Sequence, residues 1–147
     1  AIKKGLNKEE TLKCIHKAID NIILYIGLES LDYVVKGGRV SVNKKKIADL
    51  LRINPILTFK KSGVKAIGKT FGSKNKIKKF IKFVSSKLPH GNFRIGLAHG
   101  NAPEIAIEAK EHFKSLGAKE VISTKLGPAL AVHAGPNSLV IAVQKIK

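Results

Sequence analysis

The sequence has 147 residues, of which 44% are hydrophobic, and these values fit one domain with a sizeable core and exclude wholesale disorder. Its 28 Lys and Arg residues against 10 Asp and Glu residues give a formal net charge of +18, which is typical of proteins that bind nucleic acid, anionic lipid or an acidic partner. No apolar run approaches the roughly eighteen residues of a membrane span. The polar N-terminus is unlike a signal peptide, so we expect a cytoplasmic location.

Lysine outnumbers arginine 25 to 3 in this basic chain. Because arginine makes the better bidentate contacts with phosphates and bases, this ratio favours a general compositional bias over a nucleic-acid surface. The charge is still unevenly distributed, since no acidic residue lies between Asp49 and Glu104. A basic nucleic-acid-binding module is therefore the alternative function, although few aromatic rings are available for base stacking.

The chain begins with Ala and contains no Met. Two explanations stay open: a fragment of a longer protein, or a numbering from which methionines are missing. The single cysteine, Cys14, excludes a disulfide framework and favours a reducing compartment. It falls within a predicted helix, where we expect a small buried apolar side chain.

Helical and strand patterns alternate along the chain. Asn7 and Glu10 have the spacing of a capping box, which predicts a helix from this point. Further helices are expected at Leu31–Lys36, Asn43–Arg52, Lys74–Lys87 and from Pro103 to Ser115. Strands are expected at Ile22–Leu28, Pro55–Phe59, Val64–Lys69, Phe93–His99, within Ala118–Thr124 and at Ser138–Val143. Because one tight hairpin turn interrupts the alternation, the pattern predicts an α/β fold with a mixed sheet.

Two Gly-Pro pairs bracket a short apolar segment, Pro128–Gly135, near the C-terminus. We interpret this segment as a strand, in which Leu130 and His133 lie on opposite sides. The small alanines beside His133 leave room for the imidazole to face a cavity. The alternative is that His133 is an ordinary core or rim residue.

The remaining histidines give no sign of catalysis. His16, His90, His99, His112 and His133 lack the spacing of metal ligands, and no nucleophile elbow is present. We therefore predict no metal site, no catalytic residue and no enzyme activity.

Four stretches resemble, in order and spacing, the DegV family of bacterial fatty acid-binding proteins. They are Leu31–Ser41, Leu50–Leu57, Leu97–His99 and Leu126–Pro136. The resemblance implies that residues 1–147 form the second, C-terminal lobe of a two-lobe protein. That lobe is expected to be a two-layer α/β structure, a mixed sheet with helices packed on one face. It also implies that a long-chain fatty acid, and no cofactor, is held between the lobes and that its carboxyl group is presented to a fatty acid kinase.

The resemblance also suggests the residues of the site. His133 would bind the fatty acid carboxyl group within a His-x-Gly-Pro motif completed by Gly135 and Pro136. Arg39 would lie near the mouth, where it contacts the kinase or the acyl-phosphate. Family members carry Arg-Thr-Arg where this chain has Phe71-Gly72-Ser73, which leaves Lys69 and Lys74 to supply that charge.

Overall fold

The structure, a computed structural model, describes residues 5–38, 53–60, 63–72 and 74–146. The predicted helix at Asn43–Arg52 lies outside these residues. Within the described part, six strands form one sheet in the order β3-β2-β1-β6-β4-β5. They are β1 Ile22–Gly27, β2 Ile53–Lys60, β3 Gly63–Phe71, β4 Phe93–Gly100, β5 Glu120–Lys125 and β6 Ser138–Lys145.

The sheet is mixed, as the sequence predicts. Strands β4 and β5 are parallel, because a helix connects them, whereas the other neighbouring pairs are antiparallel. The hairpin of β2 and β3 is the predicted one, and a bulge near Ile56 and Leu57 shifts its register. The described helices are α1 Lys8–Asp20, α2 Asp32–Lys36, α3 Lys76–Ser85, α4 Pro103–Ser115 and α5 Pro128–Ala134.

The two long helices α3 and α4 pack on one face of the sheet, which we call the core face. The stripe Ile77, Phe80, Ile81 and Val84 of α3 is buried there, as its helical spacing predicts. Phe113 of α4 is fully buried in the same cluster. These helices therefore confirm the predicted α/β layer of helices on a mixed sheet.

The opposite face, which we call the cleft face, is covered differently. The short helices α2 and α5 contact each other. Val34 of α2 is buried in a smaller cluster with Ile26, Leu28 and Leu57. Ile122, which pairs with Gly96 on this face, is 60% exposed. The sequence did not predict that two short helices lie on this face.

Helix α1 begins with the predicted capping box: the Asn7 side chain accepts from the Glu10 backbone N–H, and the Glu10 carboxylate accepts from the Asn7 N–H, each at 3.0 Å. None of its residues is buried, and Cys14 is exposed. The expectation of a buried Cys14 is therefore wrong, because α1 packs no face against the described core. None of the described helices combines the length and the apolar character needed to cross a bilayer.

Candidate functional site: an apolar cleft

An open cleft of about 340 Å³ lies on the cleft face. Its volume falls within the usual range of about 300–1,000 Å³ for small-molecule sites. The described lining comes from five strands and from α2, α5 and the residues beside them. Among these described residues all except His133 are apolar: Leu24, Ile26, Leu28, Val34, Leu57, Phe59, Val64, Ala98, Leu126, Ala129, Leu130, Ala134 and Val140. Such a surface suits a ligand with a long apolar part and one polar end.

His133 lies in the last turn of α5, not in a strand. Pro128 occupies the first turn, where its missing N–H costs nothing, and the Ala- and Leu-rich segment favours a helix. In a helix, residues four apart share a face, so Leu130 and Ala134 line the same cleft as Ala129 and His133. The strand interpretation, with Leu130 and His133 on opposite sides, is therefore wrong.

The imidazole of His133 has an unsatisfied polar atom. Its Nδ1 is buried and has no hydrogen-bond partner among the described residues. A buried polar atom without a partner costs about 1–3 kcal/mol, and such atoms are rare in native proteins. The wall of the cleft thus contains an imidazole whose hydrogen-bonding capacity the described residues do not satisfy.

Two close approaches hold the end of α5 against α2. A Cβ atom built on Gly37 would overlap His133 Nδ1, and one built on Gly135 would overlap the ring of Tyr33. Gly135 also has φ +75°, a left-handed conformation that favours glycine. The predicted site residue Gly135 therefore supports the position of α5, although it does not line the cleft.

A tight turn follows Gly135. The buried hydroxyl of Ser138 donates to the Gly135 carbonyl at 2.7 Å. Asn137 has φ +56°, which asparagine tolerates better than most residues. The exposed Pro136 lies in this turn, outside the lining of the cleft.

His99, near the end of β4, lies on the core face, because it alternates along the strand with the cleft-lining Ala98. It is buried, and its Nδ1 accepts a hydrogen bond from the Ala102 N–H at 3.1 Å. The structure therefore does not bring His99 and His133 together. No group of three His, Cys, Asp or Glu residues in the described part of the chain could hold a metal ion.

Two of the predicted partner-contact residues, Lys69 and Lys74, are not among the residues that line the cleft. Lys69 and Lys74 are exposed, and the Lys69 ammonium lies 5.4 Å from the ring centroid of Phe71. The nearby loop is held by Lys79 Nζ, which donates to the Phe71 carbonyl at 2.7 Å. Arg39 lies outside the described residues.

Sequence reasoning missed Tyr33 and Gly37 beneath α5 and Ala98 and Val140 in the floor of the cleft. Tyr33 and Gly37 fall within a stretch that carried the family resemblance, but no local pattern indicates that they contact a helix about 100 residues later. The alternation of side chains along β4 and β6 could have shown that Ala98 and Val140 lie on the same face of the sheet. It could not have shown that this face carries the cleft.

Fold and cleft together define an α/β domain with an open, largely apolar cleft on one face of its sheet. The chain belongs to the DegV family: the family described as "Uncharacterised protein, DegV family" matches residues 1–145. A DegV domain-containing protein of Streptococcus pneumoniae is 33% identical over 119 residues, which are 80% of this chain and 42% of that protein. The chain spans about half the length of the curated relatives it matches.

Solved structures show the same fold. A fatty acid-binding DegV family protein from Thermus thermophilus superimposes with a TM-score of 0.80 at 19% identity, covering 99% of this chain and 53% of that one. The Fatty Acid Kinase (Fak) B3 protein of Streptococcus pneumoniae, loaded with linoleic acid, superimposes with a TM-score of 0.77 at 21% identity, covering 97% of this chain and 51% of that one.

Proposed function

We propose that this chain binds a long-chain fatty acid, with the acyl chain along the apolar cleft and the carboxyl group at His133. The observation that carries the proposal is the incompletely hydrogen-bonded imidazole of His133 in a cleft whose other described lining residues are apolar. A carboxylate needs hydrogen-bond donors when it leaves water, since burying it unpaired is costly. Gly135 and Pro136 contribute through the turn that ends α5.

The energetics assign different roles to the two parts of the site. Each buried CH₂ group contributes about 0.8 kcal/mol, so an acyl chain of ordinary length supplies most of the affinity. One hydrogen bond to the carboxylate contributes roughly 1.5–3 kcal/mol. His133 therefore selects the end of the ligand that bears the acid, and the cleft supplies the binding free energy.

The cleft is one wall of the proposed site. Leu130 and Phe59, both in its lining, are 51% and 47% exposed, which is unusual for apolar side chains beside a bound lipid. We propose that residues 1–147 are the second lobe and that a first lobe closes over this wall. The half-length match to the relatives and the two similar structures described with fatty acids support this arrangement.

The protein is proposed to act as a carrier that presents the carboxyl group to a fatty acid kinase in the cytoplasm, without catalysis or a cofactor of its own. The name of the Streptococcus pneumoniae neighbour, which refers to a fatty acid kinase, supports this role. Lys69 and Lys74, exposed and without an ion pair to any described residue, are proposed contacts for the kinase or the acyl-phosphate, together with Arg39.

Native mass spectrometry tests the binding function directly. The protein, purified with any further segment that its gene encodes, is expected to carry one co-purified fatty acid or to take up one added palmitate per chain. A preparation that is free of ligand and ignores both palmitate and oleate would contradict the proposal.

Nucleic-acid binding is the alternative, and the outward lysines of α3 are the feature that favours it. Part of this charge is already neutralised, because Lys78 pairs with Glu108 at 3.0 Å and Lys76 with Glu29 at 3.7 Å. We expect no specific complex with duplex DNA or RNA in a gel shift at physiological salt. Binding that persists there and then falls steeply with added salt would favour the alternative.

A further inference from the structure

The backbone conformation of Gly37 does not require a glycine. As the residue that ends α2 it has φ −75° and ψ −1°, a right-handed conformation open to any residue. Its neighbour Gly38 has φ +68° with open space beside it, so there the backbone explains the glycine. At Gly37, in contrast, a Cβ atom would overlap the Nδ1 atom of His133, so the imidazole leaves no room for a side chain.

Tyr33 makes the second contact from the same helix. Its ring lies against Gly135, two residues after His133, where a Cβ atom would overlap it. Tyr33 and Gly37 are four residues apart and therefore share one face of α2. The Gly37 N–H also donates to the Tyr33 carbonyl at 2.9 Å. One face of α2 thus contacts both the imidazole and the turn that follows it.

We propose that Gly37 and Tyr33 are positioning residues for His133, and that α2 thereby sets how well the site distinguishes a carboxylate from a neutral head group. The inference rests on the proposed function. Neither residue lines the cleft, so both act through the imidazole. A side chain at position 37 displaces the ring, whereas the apolar lining that binds the acyl chain is unchanged.

The test compares palmitate with hexadecanol, which has the same chain length but no charge. In Gly37→Ala, palmitate affinity is expected to fall roughly fivefold, less than on removal of the imidazole, since the ring is moved and not lost. Hexadecanol affinity is expected to stay as in the wild type. Gly127→Ala is the matched control, because Gly127 precedes α5 with φ −61° and nothing within 4 Å of a Cβ atom. It should bind both ligands normally.

A double-variant cycle and histidine NMR separate positioning from a general structural effect. In a His133→Ala background, Gly37→Ala is expected to cause no further loss of palmitate affinity. In the ¹⁵N-histidine spectrum without ligand, Gly37→Ala should shift the ring signals of His133, and Gly127→Ala should not. Tyr33→Ala should lower palmitate affinity and leave hexadecanol affinity unchanged, whereas Tyr33→Phe, which keeps the ring, should bind palmitate as the wild type does. These two variants test the inference if Gly37→Ala does not fold.

Three results would overturn the inference. They are an equal loss of both ligands in Gly37→Ala, an additive loss in the double variant, and unchanged His133 ring signals. If the wild-type protein binds neither ligand, the proposed function fails. The NMR shifts then decide by themselves whether α2 positions the ring.

Discussion

Replacing Ala98 with Phe is expected to lower palmitate affinity about 100-fold while leaving the protein folded. Ala98 lies in the floor of the cleft on β4 and is only partly buried, so a larger side chain extends into the open cleft and not into the packed core. The ring would exclude about four methylene groups of the ligand. At about 0.8 kcal/mol each, their loss amounts to roughly 3 kcal/mol.

Isothermal titration with palmitate measures this effect, and urea unfolding checks the fold. Ile107→Phe is the control, because Ile107 is 63% exposed on α4, which packs on the opposite face of the sheet. It should bind palmitate as the wild type does. An Ala98→Phe protein that is stable and retains wild-type affinity would show that the acyl chain binds elsewhere.

Replacing His133 with Ala is expected to lower palmitate affinity roughly 10- to 100-fold, the range for one hydrogen bond to a charged group. The imidazole is the one polar side chain in the described lining of the cleft, so its loss leaves the carboxylate without this donor. Hexadecanol affinity should change little. The same titration, with both ligands, measures the two effects.

The control for this variant is His90→Ala, since His90 is exposed in the loop before β4, outside the cleft lining. It should bind both ligands as the wild type does. Equal losses for palmitate and hexadecanol in His133→Ala would indicate that the imidazole shapes the cleft without contacting the carboxyl group.

Much of the fold was predictable because its elements carry strong local signals. The spacing of Ile77, Phe80, Ile81 and Val84 predicted the buried stripe of α3, and the hairpin between β2 and β3 followed from its turn residues. The error at α5 has a physical cause. A helix of seven residues is too short for hydrophobic periodicity to distinguish it from a strand.

The site was predictable only in part. The structure places His133 in the lining of the cleft, but the sequence argument for that position assumed a strand, and the supporting contacts are tertiary. Nothing local in the sequence indicates that Gly37 lies against His133 or Tyr33 against Gly135. The exposure of Cys14 was missed for the same reason, because helical spacing shows which face of a helix is apolar and not whether another element covers it.

The position of the cleft floor within the sheet has a mechanical consequence. Ile26, Ala98 and Val140 lie on β1, β4 and β6, and each of these strands is paired on both sides. Spreading them would break backbone hydrogen bonds in two ladders at once, so the floor is stiff. Helix α5, which lines the cleft opposite these strands, has only seven residues, and none of them is fully buried. In the proposed complex, we therefore expect the adjustment to acyl chains of different shape to occur in α5, while the strands of the floor keep their positions.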